Sequence, residues 1–464
     1  MAGSLCGRNS LCACVIRRDQ TTASLRGAGW AISRRAISRW TIIAAAMVCA
    51  LGLIESSSAH AGRPNLLFIV TDDQCHDTIA ALGHPQIKTP HLDQLVARGF
   101  AFRNAYCQGG QSPAVCVPSR VMLLTGRSTF RTPPYGAKEY AGPTLGKTFQ
   151  EAGYATIAIT KPGNSFRPAH REFEQLVEIP HVGPLTNARC TDAAIESLNK
   201  VSPDKPFCLY FAPSMPHDPR TAEPEFHAQY KPEQIVLPKN FLARQPVDIG
   251  VLGIRDEQLA AYPREAKEMQ QHLAEYYACI TSLDHHLGRL LEAIRTRGQL
   301  EQTLIVFTSD QGLAVGGRHG LMGKQNLYEH FKSPLLLAGP GVPKGQSAAL
   351  VYLYDLYPTV CELCGVAIPA ECDGQSLGPI LRGEKSRVRD SLFAVYMDSQ
   401  RMARDERWKL LWYPRTRTAQ LFDLQSDPDE LINLAERPEA ADQLARMKSL
   451  LKQEQARFGD PLRN

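Results

Sequence analysis

The sequence predicts an α/β fold built on a mixed, mostly parallel sheet flanked by helices, followed by a small antiparallel sheet and a closing helix. Three observations carry this reading. Continuous apolar runs at residues 66–70, 155–159, 207–212 and 304–308 have the pattern of strands buried on both faces. Helical periods separate them, as crossovers between parallel strands require. After Gly374 the pattern changes to short alternating segments at 392–397, 401–404, 408–413 and 420–424, divided by turns, and a helical period over about 437–458 closes the chain.

The 464 residues suffice for a large core with an appendage. Arg34, Arg35 and Arg39 precede an apolar run over 40–54, and Ser58-Ala59-His60-Ala61 offers a small-x-small cleavage site, so residues 1–61 read as a signal peptide with a long basic lead. The competing reading is a membrane anchor, for which the run is short. Ser33-Arg34-Arg35-Ala36-Ile37-Ser38-Arg39 also resembles a twin-arginine signal, so two export routes fit. The expected organisation is a signal peptide at 1–61, a main domain at 62–375 and a C-terminal subdomain at 376–464. The mature protein is expected to be exported, periplasmic or extracellular, with no stable membrane span after cleavage.

The formal net charge of +5 resides in the amino terminus: residues 1–61 hold seven Arg and two acids, and the remainder has 45 basic and 45 acidic residues. Global charge therefore lends no support to a nucleic-acid or anionic-membrane partner. Nine cysteines follow residue 61, which in an exported protein permits disulfides without requiring them. Cys361 and Cys364 are spaced like a redox or zinc pair. They fall on an apolar helical pattern over 356–366 with no second pair at metal-site spacing, which favours helix-face cysteines.

Taken in order, the strand at 66–70 ends in Thr71-Asp72-Asp73-Gln74, and the carboxyl ends of parallel strands are where such sheets bind ligands. Adjacent carboxylates repel unless a cation joins them, so a metal is one explanation and capping of the next helix the other. Helical patterns follow over 90–98 and 118–126. Pro118 suits a first turn and Gly126 an end, which sets Cys116 at the amino end of the second helix with Arg120 one turn on. Free N–H groups there favour negative charge, and a guanidinium can grip two oxygens of a tetrahedral oxyanion. Taken alone, Cys116 would read as a small buried hydrophobe.

A helix over 144–152 leads through Gly153 into the strand at 155–159, whose end delivers Lys161 and Asn164. A helical stretch near 192–200 precedes the strand at 207–212, which opens into a loop carrying His217. Residues 223–262 show no period and are expected to form a lid or insertion that shapes a pocket. A long helical pattern over about 264–297 stops at Gly298, and the strand at 304–308 ends in Ser309-Asp310-Gln311-Gly312. A glycine-rich loop then carries His319 and Lys324 before a strand at 334–338. Strand after strand ends in a charged or polar group, as a single active sheet edge requires.

Cys116-Val117-Pro118-Ser119-Arg120, running on to Leu124-Thr125-Gly126-Arg127, resembles the signature of the type I sulfatases of the alkaline phosphatase superfamily, with surroundings similar to iduronate-2-sulfatase-like members. The likeness continues through Trp408-Lys409-Leu410-Leu411, Leu421-Phe422-Asp423-Leu424, Asp427-Pro428-Asp429-Glu430 and Asn433-Leu434, and so covers nearly the whole chain after residue 61. It implies an alkaline-phosphatase-like fold and hydrolysis of sulfate esters, of sulfated carbohydrates in particular, to alcohol and inorganic sulfate. A formylglycine-generating enzyme would oxidise Cys116 to formylglycine, whose hydrated aldehyde would be the nucleophile, supported by Arg120.

The same resemblance assigns Asp72, Asp73, Asp310 and Gln311, with the residue derived from Cys116, to one divalent metal, with Ca2+ the expected ion for oxygen donors. His217 would protonate the leaving oxygen, Lys161, His217 and Lys324 would contact the sulfate, and Asn164 would bond the hydrate. His319 is either a further contact or a loop hydrogen-bond donor. Two positions depart from the family pattern. Gln311 stands where Asn or His is usual, and Gly163 and Asn164 stand where a histidine commonly follows the lysine. The alternatives are a phosphatase or phosphodiesterase of the same superfamily and an exported carbohydrate-binding pseudoenzyme.

Overall fold

The computed structural model describes residues 62–163, 165–324 and 327–462; residues 1–61, read from the sequence as a signal peptide, and Asn164 lie outside them. In chain order the strands are β1 (Asn65–Thr71), β2 (Phe100–Tyr106), β3 (Gly109–Gly110), β4 (Ala155–Thr160), β5 (Gln175–Glu178), β6 (Phe207–Phe211), β7 (Thr303–Ser309), β8 (Lys332–Ser333), β9 (Leu335–Ala338), β10 (Gly345–Tyr352), β11 (Leu392–Tyr396), β12 (Gln400–Arg404), β13 (Trp408–Tyr413) and β14 (Thr418–Asp423). The principal helices are α1 (Pro90–Arg98), α2 (Cys116–Thr125), α3 (Leu145–Glu151), α4 (Thr186–Asn199), α5 (Ala266–Thr296), α6 (Leu356–Leu363) and α7 (Ala441–Phe458).

The large sheet runs β10-β2-β9-β7-β1-β6-β4-β5, with β8 beside β2. Along that path only β9 reverses direction: it pairs antiparallel with both β7 and β2, whereas β7-β1-β6-β4-β5 are parallel throughout. β1 explains why both faces must be covered. Its side chains alternate, sending Leu67 and Ile69 into one apolar cluster and Leu66, Phe68 and Val70 into another. The first cluster is closed by Leu92 and Leu95 of α1, Ala194 and Leu198 of α4, and Leu287 and Leu290 of α5. On the second, Met122 and Leu123 of α2, Phe149 of α3 and Tyr357 of α6 complete the layer.

The register places the site. Thr71 pairs with Ser309, and Ile69 and Ile159 both pair with Phe211, so β7, β1, β6 and β4 end level at one edge. The chain leaves that edge at Asp310, Asp72, Lys161 and the loop to His217. α2 stops at Gly126, whose φ of 67° and N–H to the Met122 carbonyl form a left-handed cap, as its position predicts.

The small sheet runs β14-β13-β12-β11-β3. Four of its strands are the predicted antiparallel set. The fifth, β3, comes from just before Cys116 and joins β11 in parallel. Gly109 makes this possible: its φ is 83°, and a Cβ there would lie 1.8 Å from the Val395 carbonyl oxygen. One face of this sheet packs Phe393, Leu410 and Leu421 against Met447 and Leu451 of α7, and the other carries Tyr396, Met402 and Tyr413 into the main core.

Some boundaries differ from the sequence expectation. α4 begins at Thr186 rather than near residue 192, because its first turn is polar yet buried: Asn187 donates to Ser282 of α5 at 3.0 Å. The final helix starts at Ala441 after a single 3-10 turn over Pro438–Ala440. β2, β5 and β10 lack the continuous apolar run of the central strands; β5 is only half-buried, and β10 is exposed along its first half. Cys361 and Cys364 sit in and at the end of α6, and all nine cysteines among the described residues are free. Among those residues no helix is long and apolar enough to cross a membrane.

Candidate active site

Cys116 occupies the first position of α2 and is buried against the ends of β1 and β7. Its Sγ lies 3.4 Å from Asp72 Oδ1, 3.7 Å from Asp73 Oδ1, and 3.2 Å from both Gln311 Nε2 and Lys324 Nζ. Arg120, one turn on, points back under the cluster and spans two carboxylates, with Nε 3.1 Å from Asp310 and Nη2 3.2 Å from Asp72. Lys161 pairs with Asp72, and Lys324 sits 2.9 Å from each Asp73 oxygen. His217 faces them with Nε2 3.8 Å from Asp73 Oδ2, its Nδ1 2.6 Å from the Asp218 carbonyl oxygen. Asp72, Asp73, Cys116, Arg120, Lys161, His217, Asp310, Gln311 and Lys324 are therefore brought together. His319 is not: its ring stacks on Tyr328 at 3.8 Å and its Nε2 meets the Glu430 carbonyl at 3.1 Å.

Three carboxylates crowded in a buried space need compensation, and the cations provide it unevenly. For Asp72, burial would raise the carboxyl, but Lys161 and Arg120 outweigh it and hold it far below the usual range. Asp73 is likewise lowered, burial being overcome by Lys324 and His217. Asp310 goes the other way: burial and the neighbouring Asp72 charge push it up to about 6. Burial also drives the Cys116 thiol well above its ordinary value, only partly offset by Lys324, so as an unmodified thiol it is a weak nucleophile.

The donor chemistry fits a hard divalent cation. Asp72, Asp73 and Asp310 supply buried carboxylate oxygens around Cys116, and the Gln311 amide, whose Nε2 lies against Asp73 and Cys116, keeps its Oε1 buried with no hydrogen-bond donor to satisfy it. Ligand atoms of Asp72, Asp73, Cys116 and His217 also lie within 4.8 Å of one another. His217 lines the open cavity beside Cys116, whereas Asp72, Asp73 and Asp310 are enclosed, so the carboxylates form the cage and His217 is left facing the cavity.

Three positioning features had no signal in the sequence. Asp73 adopts φ 66°, a conformation unusual for a non-glycine residue, and is pinned by its N–H to Asp310 at 3.0 Å and by the Tyr276 hydroxyl donating to its carbonyl at 2.7 Å. Asp256 and Arg255, inside the aperiodic 223–262 insertion, reach the site: Asp256 lies 3.7 Å from Lys324, and Arg255 pairs with Asp218 beside His217. Glu257 accepts the N–H groups of Met322 at 3.0 Å and Gly323 at 2.7 Å and pairs with Arg264, tying the Lys324 loop to the insertion. Together Cys116, His217, Ile254, Arg255, Asp256 and Lys324 line a cavity of about 310 Å³.

With this geometry in view, the comparisons are specific. The sulfatase family model matches residues 64–366, and the model of the N-sulphoglucosamine sulphohydrolase C-terminal region matches 317–457. This chain belongs to the sulfatase family. It is a sulfuric ester hydrolase with an alkaline-phosphatase-like fold. Among relatives of this sulfatase, N-acetylglucosamine-6-O-sulfatase of Bacteroides thetaiotaomicron is 26% identical over 86% of this chain and 87% of its own length. Human (Homo sapiens) iduronate 2-sulfatase is 27% identical over 72% of this chain and 75% of its own. The solved structure of BT4656 with its substrate D-glucosamine-2-N,6-O-disulfate superposes with a TM-score of 0.73 at 23% identity, over 87% of this chain and 99% of that one.

Proposed function

We propose that this sulfatase is exported and hydrolyses sulfate esters of carbohydrates through a formylglycine derived from Cys116. The observation that carries the proposal is the placement of Cys116 at a helix amino end, against two carboxylates and Lys324, on the wall of a cavity that His217 also lines. The carbohydrate assignment rests on the relatives, whose names specify N-acetylglucosamine and iduronate sulfates, and on the glucosamine disulfate bound by BT4656. A divalent ion, with Ca2+ expected, would be held by Asp72, Asp73, Asp310 and Gln311 and would supply Lewis-acid stabilisation of the sulfuryl oxygens.

In this reading Lys161 and Lys324 turn their ammonium groups to the sulfate, whose developing negative charge they stabilise from fixed positions. One hydroxyl of the hydrated aldehyde at residue 116 would attack sulfur, its proton passing to solvent water, as the bond from sulfur to the alcohol oxygen breaks. His217 gives that oxygen its proton, since imidazole is suited to donate and accept protons near neutral pH. The neutral ring then takes the proton of the remaining hydroxyl as the aldehyde reforms and sulfate leaves, which is how one group serves both steps where no histidine follows Lys161. Arg120 keeps Asp72 and Asp310 in place throughout.

The test is release of sulfate from 4-nitrophenyl sulfate and from glucosamine 6-sulfate by protein made with a formylglycine-generating enzyme. Turnover that falls by at least a thousandfold in Cys116→Ala supports the reading. Turnover of an aryl phosphate in place of the sulfate moves the chain to phosphoester chemistry, and binding of the sugar sulfate without turnover moves it to a carbohydrate-binding pseudoenzyme.

A further inference from the structure

Beyond the cavity over Cys116, a groove starts at the next residue. Val117 lines two adjoining hollows that also share Tyr135 and Phe166; the outer one has a volume of about 440 Å³, enough for a small ligand. Its floor is apolar, and its far wall is made by Lys138, Arg167 and Arg171, all exposed. Arg167 is paired with Glu178 at 3.1 Å. Lys138 and Arg171 have no ion pair or side-chain hydrogen bond among the described residues. Tyr135 is 63% exposed, an unusual position for a large aromatic ring beside a concave wall. An exposed aromatic face flanked by free cations suits a ligand whose units are flat-faced rings bearing negative groups.

We infer that this groove is a binding subsite for the sugar residues flanking the one that carries the scissile sulfate, in an oligosaccharide with further sulfate or carboxylate groups. The inference rests on the sulfate-ester reading above for its direction, because the groove is lined by Val117, the neighbour of Cys116 in α2. Tyr135 stacks on a sugar ring, Val117 and Phe166 pack beneath it, and Lys138 and Arg171 pair with the anionic substituents. A substrate of one sugar unit leaves this surface unused, so the enzyme gains from chain length, and the gain is electrostatic and therefore weakened by salt.

The experiment is calorimetric titration of full-length Cys116→Ala protein, which binds without turnover, with a disaccharide and a hexasaccharide from one fully sulfated, uronate-containing polysaccharide. The hexasaccharide is expected to bind at least tenfold more tightly than the disaccharide. Adding Lys138→Glu and Arg171→Glu together should remove that advantage, and adding Tyr135→Ala should cut it several-fold, with thermal melting confirming that each variant is folded. Equal affinity for the two lengths, or a hexasaccharide advantage that survives the double reversal in folded protein, overturns the inference. The two readings part cleanly. Wild-type turnover of 4-nitrophenyl sulfate with no length advantage leaves the reaction standing and removes the subsite. A cation-dependent advantage in a protein that hydrolyses no sulfate ester does the opposite.

Discussion

At the scale of single residues, the site is held by groups whose loss has distinct costs. Arg120 is fully buried and neutralises Asp72 and Asp310 together. Arg120→Ala leaves two enclosed carboxylates short of a partner and is expected to cost about 3–5 kcal/mol of stability, which chemical denaturation would measure. Arg120→Lys restores the charge but not the fork, so it should recover much of the stability and little of the activity. Tyr276 acts on the backbone instead. Its hydroxyl donates to the Asp73 carbonyl and accepts the Cys75 N–H at 2.8 Å, which keeps Asp73 at its strained φ. Tyr276→Phe is expected to cost about 1–2 kcal/mol and to lower kcat more than it raises KM, because the carboxylate loses its aim before the cavity changes shape.

Among elements, the β-edge and the insertion make different demands, and they were unequally legible in the sequence. Asp72, Lys161, His217 and Asp310 could be read because each follows an apolar run too continuous to be anything but a doubly buried strand. Parallel register then brings such ends level without further information. Helix punctuation, Pro118 and Gly126, set Cys116 at a helix amino end with Arg120 one turn on, but their roles were readable only from the likeness of that run to the sulfatase signature. Asp256 and Glu257 were not, since residues 223–262 carry no period and their position depends on contacts made far along the chain, to Lys324 and Gly323. β3 was hidden for a related reason: two glycines have no propensity for a strand, and only the approach to Val395 makes them one. Glu257→Ala should strand the buried Arg264 and loosen the Lys324 loop together, lowering the melting temperature and raising KM for a sulfate ester. Gly109→Ala should be worse than either, since its Cβ has no room and the segment leading to Cys116 would leave the small sheet.

For the whole molecule, two linkages are open to measurement. Glu329 joins the main body to the small sheet: it pairs with Arg404 of β12 and Lys409 of β13, each at 3.1 Å, and with Lys332 of β8 at 2.7 Å. Burial would raise its carboxyl, but Arg404, Lys332 and Lys409 outweigh burial and hold it well below the usual range. A depressed acid contributes stability that is complete above its unfolded value of about 4.3 and is lost as pH falls below it, by up to about 1.4 kcal/mol per pH unit. Glu329→Gln should therefore lower the melting temperature at neutral pH and flatten its acid limb. The second linkage is to the metal. Protein stripped by a chelator should melt lower, and Ca2+ at about a hundred times its Kd should return about 2.7 kcal/mol, an effect that Asp73→Asn should largely remove.

The central claim concerns Cys116 itself, and the mass of the tryptic peptide spanning residues 104–120, from protein made in its native host, tests it most directly. The account predicts a peptide in which the Cys116 thiol has been replaced by an aldehyde, with fragmentation placing the change at residue 116 and leaving Cys107 intact. A peptide carrying an unmodified thiol at 116 in an enzyme that still releases sulfate would contradict it.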